Sequence, residues 1–147
     1  MLVRLFWAGI CSGLLSAAAF AVADYGTAEE ARAMLERAVA AVRADEAKAL
    51  EMFNDEGGGF RDRDLYVFCA VSDGIETAHP THKGRRLSDL KDANGFAFGE
   101  EIMRIATEGT VSEVAYMWPR PGSDIPAKKI TYVTRVDDQI CAVGFYK

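Results

Sequence analysis

Three consecutive glycines divide this chain into two regimes of hydrophobic spacing. Up to "NDEGGGF" the apolar residues recur at helical intervals, and beyond it they gather in short, β-rich, partly alternating runs. Gly57, Gly58 and Gly59 forfeit helix propensity and free the backbone to turn. A chain built this way places helix first and sheet after, which predicts an α+β fold. Thr27 and Glu30 form a TxxE capping box at the start of the helical part, and Ala31, Leu35, Ala38, Val42, Ala49 and Phe53 make its stripe. The spacing predicts one long helix over about 27–55, packing closely but burying little area per residue because alanine dominates.

The second regime reads as five strands. "LYVFCAV", a "DG" turn and "IETAHP" predict a hairpin. "THKGRRLSDLKDANG" carries the Gly and Asx signals of an irregular loop with one helical turn. "FAFGEEIMRIATEG" returns to helical spacing through Phe98, Ile102 and Ile105 and stops at Gly109. "TVSEVAYMW", "KKITYVTRV" and "QICAVGFY" are the last three strands, joined by "PRPGSDIP" and "DD". No internal repeat is present.

The N-terminus predicts export. "MLVR" is a short basic region, "LFWAGICSGLLSAAAF" an apolar one, and "AVA" before Asp24 a small-residue cleavage site, so residues 1–23 read as a signal peptide cleaved after Ala23. The alternative is an uncleaved N-terminal membrane anchor, which the serines and glycines in the run disfavour. Cys11 follows Ile10 and sits too early for a lipoprotein site. The remaining residues, 24–147, suit a single domain with no further span. The formal net charge of −5 argues against nucleic acid, whose phosphates demand clustered lysine and arginine. Cys69 and Cys141 remain, and an oxidising compartment makes them candidates for a disulfide, with two buried free thiols as the alternative.

Signs of catalysis are weak. His79 and His82 lie three apart, but Pro80 removes the helical geometry that would aim both at one metal ion. Asp89, Asp92 and Asn94 echo the start of a calcium loop without its downstream glutamate, so turn roles explain them better. No GxSxG, CxxC, HExxH or CxxCH motif occurs, and Cys69 has no adjacent cation to activate it. We therefore expect no enzyme, no cofactor and no metal. The hairpin "YMWPRPGSDIPAKKITYV" is more informative. Alternation puts Tyr116 and Trp118 on one face of one arm, and Lys128, Ile130 and Tyr132 on one face of the other. Such a wall of rings with a cation suits a small anion. Ordinary hairpin packing, with Lys128 and Lys129 as solvated edge charges, is the competing explanation.

"DLYVFCAVSDG", "AHP", "GRRLSDLKDANGFAF", "YMWPRPG", "KKITYV" and "VGFYK", in that order over residues 64–147, resemble the single Cache family of extracellular sensor domains, second type, in its stand-alone exported form. The resemblance implies a PAS-like five-stranded antiparallel sheet with a long N-terminal helix and a flanking helix, and a pocket for small organic acids or similar metabolites on one face. It implies ligand-binding positions at Tyr66, Phe68, His79, Tyr116, Trp118, Lys129 and Tyr132. Lys129 stands three before Tyr132, so a bulge between them or Lys128 as the cation would reconcile the pattern. It also makes the first and last strands neighbours, bringing Cys69 and Cys141 together. No coiled coil, kinase or methyl-accepting segment follows Lys147, which suggests a periplasmic sensor domain that hands ligand occupancy to a membrane receptor partner in signal transduction, or only binds. The rival reading is a protein-interaction module that docks through its helix stripe or Arg120, and a filled pocket or an exposed stripe would favour it.

Overall fold

The structure is a computed structural model that describes residues 23–147, so the expected signal segment lies outside the described residues. Among these, no helix is long and apolar enough to cross a membrane. Helix α1 (Ala28–Ala44) opens with the expected box: the Thr27 hydroxyl accepts from the Glu30 N–H, and the Glu30 carboxylate accepts from the Thr27 N–H. It buries Ala31, Met34, Leu35, Ala38 and Val42. The helical stretch is broken rather than continuous. Asp45 leaves helical geometry, accepts from the Lys48 N–H, and starts α2 (Glu46–Asn54). A short carboxylate that can bond its own backbone favours a cap over a helix interior.

The remaining elements are β1 (Arg61–Asp62), β2 (Leu65–Val71), β3 (Glu76–Ala78), a 3₁₀ turn (Leu87–Asp89), α3 (Phe98–Ile105), β4 (Ser112–Pro119), β5 (Pro126–Val136) and β6 (Gln139–Tyr146). They form one antiparallel sheet in the order β1-β2-β6-β5-β4, with β3 paired to β2. Five strands are those expected, and β1 adds a two-residue sixth. The tight turn between β2 and β3 rests on Gly74 at φ +88°, a conformation that glycine adopts without strain.

Period-2 alternation sorts the sheet into two faces. Leu65, Val67, Cys69, Cys141, Val143 and Phe145 point toward α1 and α2 and form one core with their buried stripes. Tyr66, Phe68, Ala70, Val114, Tyr116, Val133 and Ala142 point the other way, under Leu87, Phe98 and Ile102 from the long loop and α3. Cys69 and Cys141 are direct partners across β2 and β6, and a disulfide joins them on the helix-covered face.

That bridge closes 72 residues of sequence between central strands. Reduction, or the pair Cys69→Ala and Cys141→Ala, is expected to lower stability by about 2–4 kcal/mol in urea melts. Denatured but unreduced protein spanning residues 24–147, which leaves out Cys11, should titrate with no free thiol; two free thiols would show that the bridge does not form.

Candidate functional site

Between the sheet and its loop cover lies a cavity lined by Tyr66, Phe68, Glu76, His79, His82, Leu87, Leu90, Phe98, Tyr116, Trp118 and Lys129. It is nearly closed: about 10 Å³ remains for a water-sized centre, roughly one water molecule. Outside it an open cleft of about 360 Å³ shares Tyr66, His79, His82 and Trp118 with the cavity. Those four side chains are the partition between pocket and solvent.

The register of one hairpin decides which lysine enters. Tyr116 pairs with Lys129 across β4 and β5, and Met117 pairs with Lys128. Residues directly opposite on antiparallel strands share a face, so Lys129 joins Tyr116 inside while Lys128 is exposed. Tyr132 also drops out of the predicted set. It pairs with Glu113 and packs on the helix side, against Phe145 at 5.6 Å between ring centroids and under the Arg32 guanidinium. No bulge is needed, because Lys129 and Tyr132 face opposite ways in a regular strand. The structure thus brings Tyr66, Phe68, His79, Tyr116, Trp118 and Lys129 to one cavity and sends Lys128 and Tyr132 elsewhere.

Lys129 is 1% exposed. Its ammonium donates to the Tyr66 hydroxyl at 2.7 Å and lies over the rings of Tyr66, Tyr146 and Phe68 at 4.2, 5.2 and 5.7 Å. Its chain reaches there because Gly144 has no side chain, where a Cβ would collide with the Lys129 methylenes and the Thr131 hydroxyl. Among the described residues no carboxylate forms an ion pair with it. Burial pushes its pKa down to about 7, against smaller pulls upward from Asp64 and Glu76.

Glu76 is a member of the cavity that sequence reasoning missed, and His82, weighed there only as a metal ligand, lines it as well. Glu76 is 1% exposed and both of its carboxyl oxygens lack a hydrogen-bond partner among the described residues. Burial raises its pKa to about 8, partly offset by the positive charges of Arg85 and Lys129. A charged residue inside the apolar edge run "IETA" was the available signal. Its side chain, His79 and His82 bring potential ligand atoms within 4.8 Å of one another. The hydrogen bonds assign His79 a different role. Its Nδ1 accepts from the backbone N–H groups of Thr81 and His82, each at 3.0 Å, so the ring proton sits on Nε2. His79 therefore presents a donor to the cavity and has no free lone pair for a metal. Burial, with the neighbouring His82, holds its pKa down at about 2. Asn54 at the end of α2 fixes the segment, accepting from the His79 N–H at 3.3 Å and donating to the Thr77 carbonyl at 3.0 Å.

The loop cover is tied to the sheet by Asp92. One carboxylate oxygen accepts from the Met117 N–H at 3.0 Å, and the other accepts from Asn94 and Phe96. Phe98 stacks on Tyr116 at 4.0 Å between centroids, and Trp118 meets His82 and Phe98 edge-on. The result is a small chamber with an unpaired cation, hydroxyl and imidazole donors on the sheet side, and an unpaired carboxyl on β3.

The pKa shifts give a signed pH dependence. Unfolded Lys129 keeps a proton that the folded state releases between about pH 7 and pH 10.5, so the unfolded chain binds more protons there. The unliganded protein should therefore gain stability from this residue as pH rises from 7 toward 10, by up to about 1.4 kcal/mol per pH unit. Lys129→Met should abolish that rise and, by removing a buried charge, stabilise the protein at pH 7 by about 1–4 kcal/mol. Urea melts across pH are the measurement; an identical pH profile in the variant would exclude a buried, depressed Lys129.

Comparison with known proteins places this geometry. The family model described as Single Cache domain 2 matches residues 19–145. The chain is similar to the solved structure of a methyl-accepting chemotaxis protein from Vibrio parahaemolyticus, with 25% identity, 80% of this chain and 86% of that one covered, and a TM-score of 0.66. A Cache chemosensory domain solved to explain carboxylic acid recognition is similar at 25% identity, over 80% and 86% of the chains, with a TM-score of 0.61. The periplasmic sensor domain of a chemotaxis protein is similar at 27% identity, over 80% and 88%, with a TM-score of 0.59. Among curated proteins, the methyl-accepting chemotaxis protein McpP of Pseudomonas putida is 32% identical over 59 residues, 40% of this chain and 11% of that receptor.

Proposed function

The chain belongs to the single Cache domain 2 family of sensor domains, and from that premise we propose that it binds a small organic carboxylate, without catalysis, in the cavity around Lys129. The observation that carries the proposal is the lysine itself. An ammonium taken out of water without a counter-charge is unfavourable by several kcal/mol, and Lys129 holds only a tyrosine hydroxyl and three aromatic rings. An entering carboxylate would supply the missing charge, and the His79 Nε2–H and the Tyr66 hydroxyl are donors lining the same cavity, while the Tyr116 hydroxyl is engaged with the Thr131 hydroxyl at 2.9 Å. Both tyrosines stay neutral because burial raises their pKa values. Phe68, Phe98 and Trp118 would cover a short apolar stub.

The near-closure of the cavity suits a ligand of a few carbons that enters from the outer cleft by displacing His82 and Trp118. A pocket abandoned by function would be expected to fill with apolar groups, whereas this one keeps a cation and a carboxyl in unfavourable isolation. The nearly filled cavity is the outcome expected of the rival interaction module, but two of the surfaces on which such a module would dock are engaged within the chain. The α1 stripe is buried against the sheet. Arg120 bonds Asp64 at 3.3 Å and lies between the rings of Tyr25 and Tyr146. The periplasmic character of similar domains supports an exported site of action, with cleavage after Ala23 and relay to a membrane receptor as parts of the proposal.

Thermal unfolding against a panel of small mono- and dicarboxylates, amines and amino acids tests this. A ligand at a hundred times its Kd should stabilise by about 2.7 kcal/mol, several degrees for a domain of this size. Lys129→Met should remove the shift given by acids, while Lys128→Ala, on the opposite face, should leave it within about 0.5 kcal/mol. Loss of binding in the Lys128 variant with retention in the Lys129 variant would refute the site.

A further inference from the structure

We propose that Glu76 reads a second polar group on the ligand, so that the pocket selects a small carboxylate that also carries a hydrogen-bond donor, a hydroxyl or an ammonium, close to its carboxyl group. The inference rests on the carboxylate site proposed around Lys129 and adds a specificity determinant from β3.

Glu76 cannot satisfy itself from within the fold as it stands. Its backbone is committed: the N–H donates to the Arg85 carbonyl and the carbonyl accepts from the Gly84 N–H, which holds β3 against the following turn. Its side chain points into the cavity with both oxygens buried and unpartnered. The groups facing it are His79 and His82, with potential ligand atoms within 4.8 Å, and the positive charges of Arg85 and Lys129 at longer range. The Nδ1 of His82 is likewise buried without a partner. Glu76 and His82 therefore leave polar atoms unpartnered here, while Lys129 offers a donor. A ligand complementary to both has an anionic end for Lys129 and a donor for Glu76.

Shape restricts the spacing between the two ends. The chamber is small, and Leu87, Phe98 and Trp118 close its remaining sides, so the two polar ends belong on one short skeleton. A plain acid of the same length would satisfy Lys129 and leave Glu76 with an unpaired carboxyl, now more deeply desolvated. A site built to bond a polar group rejects the analogue that lacks it far more strongly than an apolar pocket rejects a missing methylene. A hydroxyl both donates and accepts and so pairs with the neutral form of Glu76, which its pKa of about 8 favours at neutral pH. An ammonium pairs with the ionised form.

Isothermal titration of the protein with propionate, lactate and alanine separates the cases, because the three share a three-carbon skeleton and differ in the group beside the carboxylate. Lactate or alanine should bind at least tenfold more tightly than propionate. Which of the two does so identifies the donor. In Glu76→Met, checked for folding by its melting curve, that preference should collapse to within about twofold with propionate binding retained or improved; Glu76→Gln, which keeps one acceptor, should preserve part of it. Propionate binding as tightly as both others, or a preference that survives Glu76→Met, overturns the role of Glu76 and leaves the carboxylate site standing. Failure of all three ligands to bind removes the carboxylate site and this inference together.

Discussion

The pairing of Tyr116 with Lys129 across β4 and β5 is the constraint on which the site depends. A one-residue slip in that register would send Lys129 to the helix face and bring Lys128 inward, because side chains alternate with a period of two. The register is held from both sides. Val114 and Tyr116 fit the pocket-side core, while Ile130 and Tyr132 pack against the helix-side core. The same alternation in β2 and β6 puts Tyr66 and Phe68 in the cavity and Cys69 and Cys141 in the bridge beneath. One sheet thus separates a stable, disulfide-linked face from a chemically unsettled one. The separation matters physically, since strain around an unpaired cation is tolerable only where the rest of the domain is well packed.

Lys129 and Glu76 share one small chamber without forming an ion pair, and their pKa values move in opposite directions for the same reason. Burial penalises the charged form of each, lowering the amine and raising the acid. Had they met directly, the pair would have satisfied itself and left nothing for a ligand. Kept apart, each retains unused hydrogen-bonding capacity at the place where an occupant would sit. His79 adds to this arrangement through its backbone. Two N–H groups at Nδ1 lock the tautomer, so the imidazole donates, a role set by the "HPTH" turn and not by the ring alone.

Much of the fold was legible in the residues, and the reasons are local. The Thr27 box, the glycine run and the β-rich segments each signal through near neighbours in sequence, so α1, the strands and their order came through. The break at Asp45 did not, since the apolar stripe continues across it and only the capping hydrogen bond to Lys48 separates the two helices. Within the site, Tyr66, Phe68, Tyr116 and Trp118 announce themselves as rings on alternating strands. Lys129 against Lys128 was undecidable, because the choice rests on a cross-strand register that no local pattern specifies. Glu76 and His82 were invisible as partners for a similar reason. They meet only after β3 and the following turn fold back over β2, and a lone glutamate in a three-residue edge strand reads as a solvated edge charge.

The cavity around Lys129 is nearly closed. Its walls approach closely enough to leave room for about one water. Binding as proposed would displace the His82 and Trp118 partition, and a ligand shifts a domain between two forms only by the difference in its affinity for them. On that reading the difference would come mainly from Lys129, whose charge is unfavourable in the closed form and would be matched by a bound carboxylate. Trp118 lies next to the end of β4 and two residues before Arg120, which reaches Asp64, Tyr25 and Tyr146. Asp64 in turn accepts from the Gly26 N–H at 2.7 Å, at the entry to α1. A displacement at the partition thus has a continuous path of packed and hydrogen-bonded groups to the start of α1, the kind of contiguous connection through which a change at the pocket is felt elsewhere in the domain.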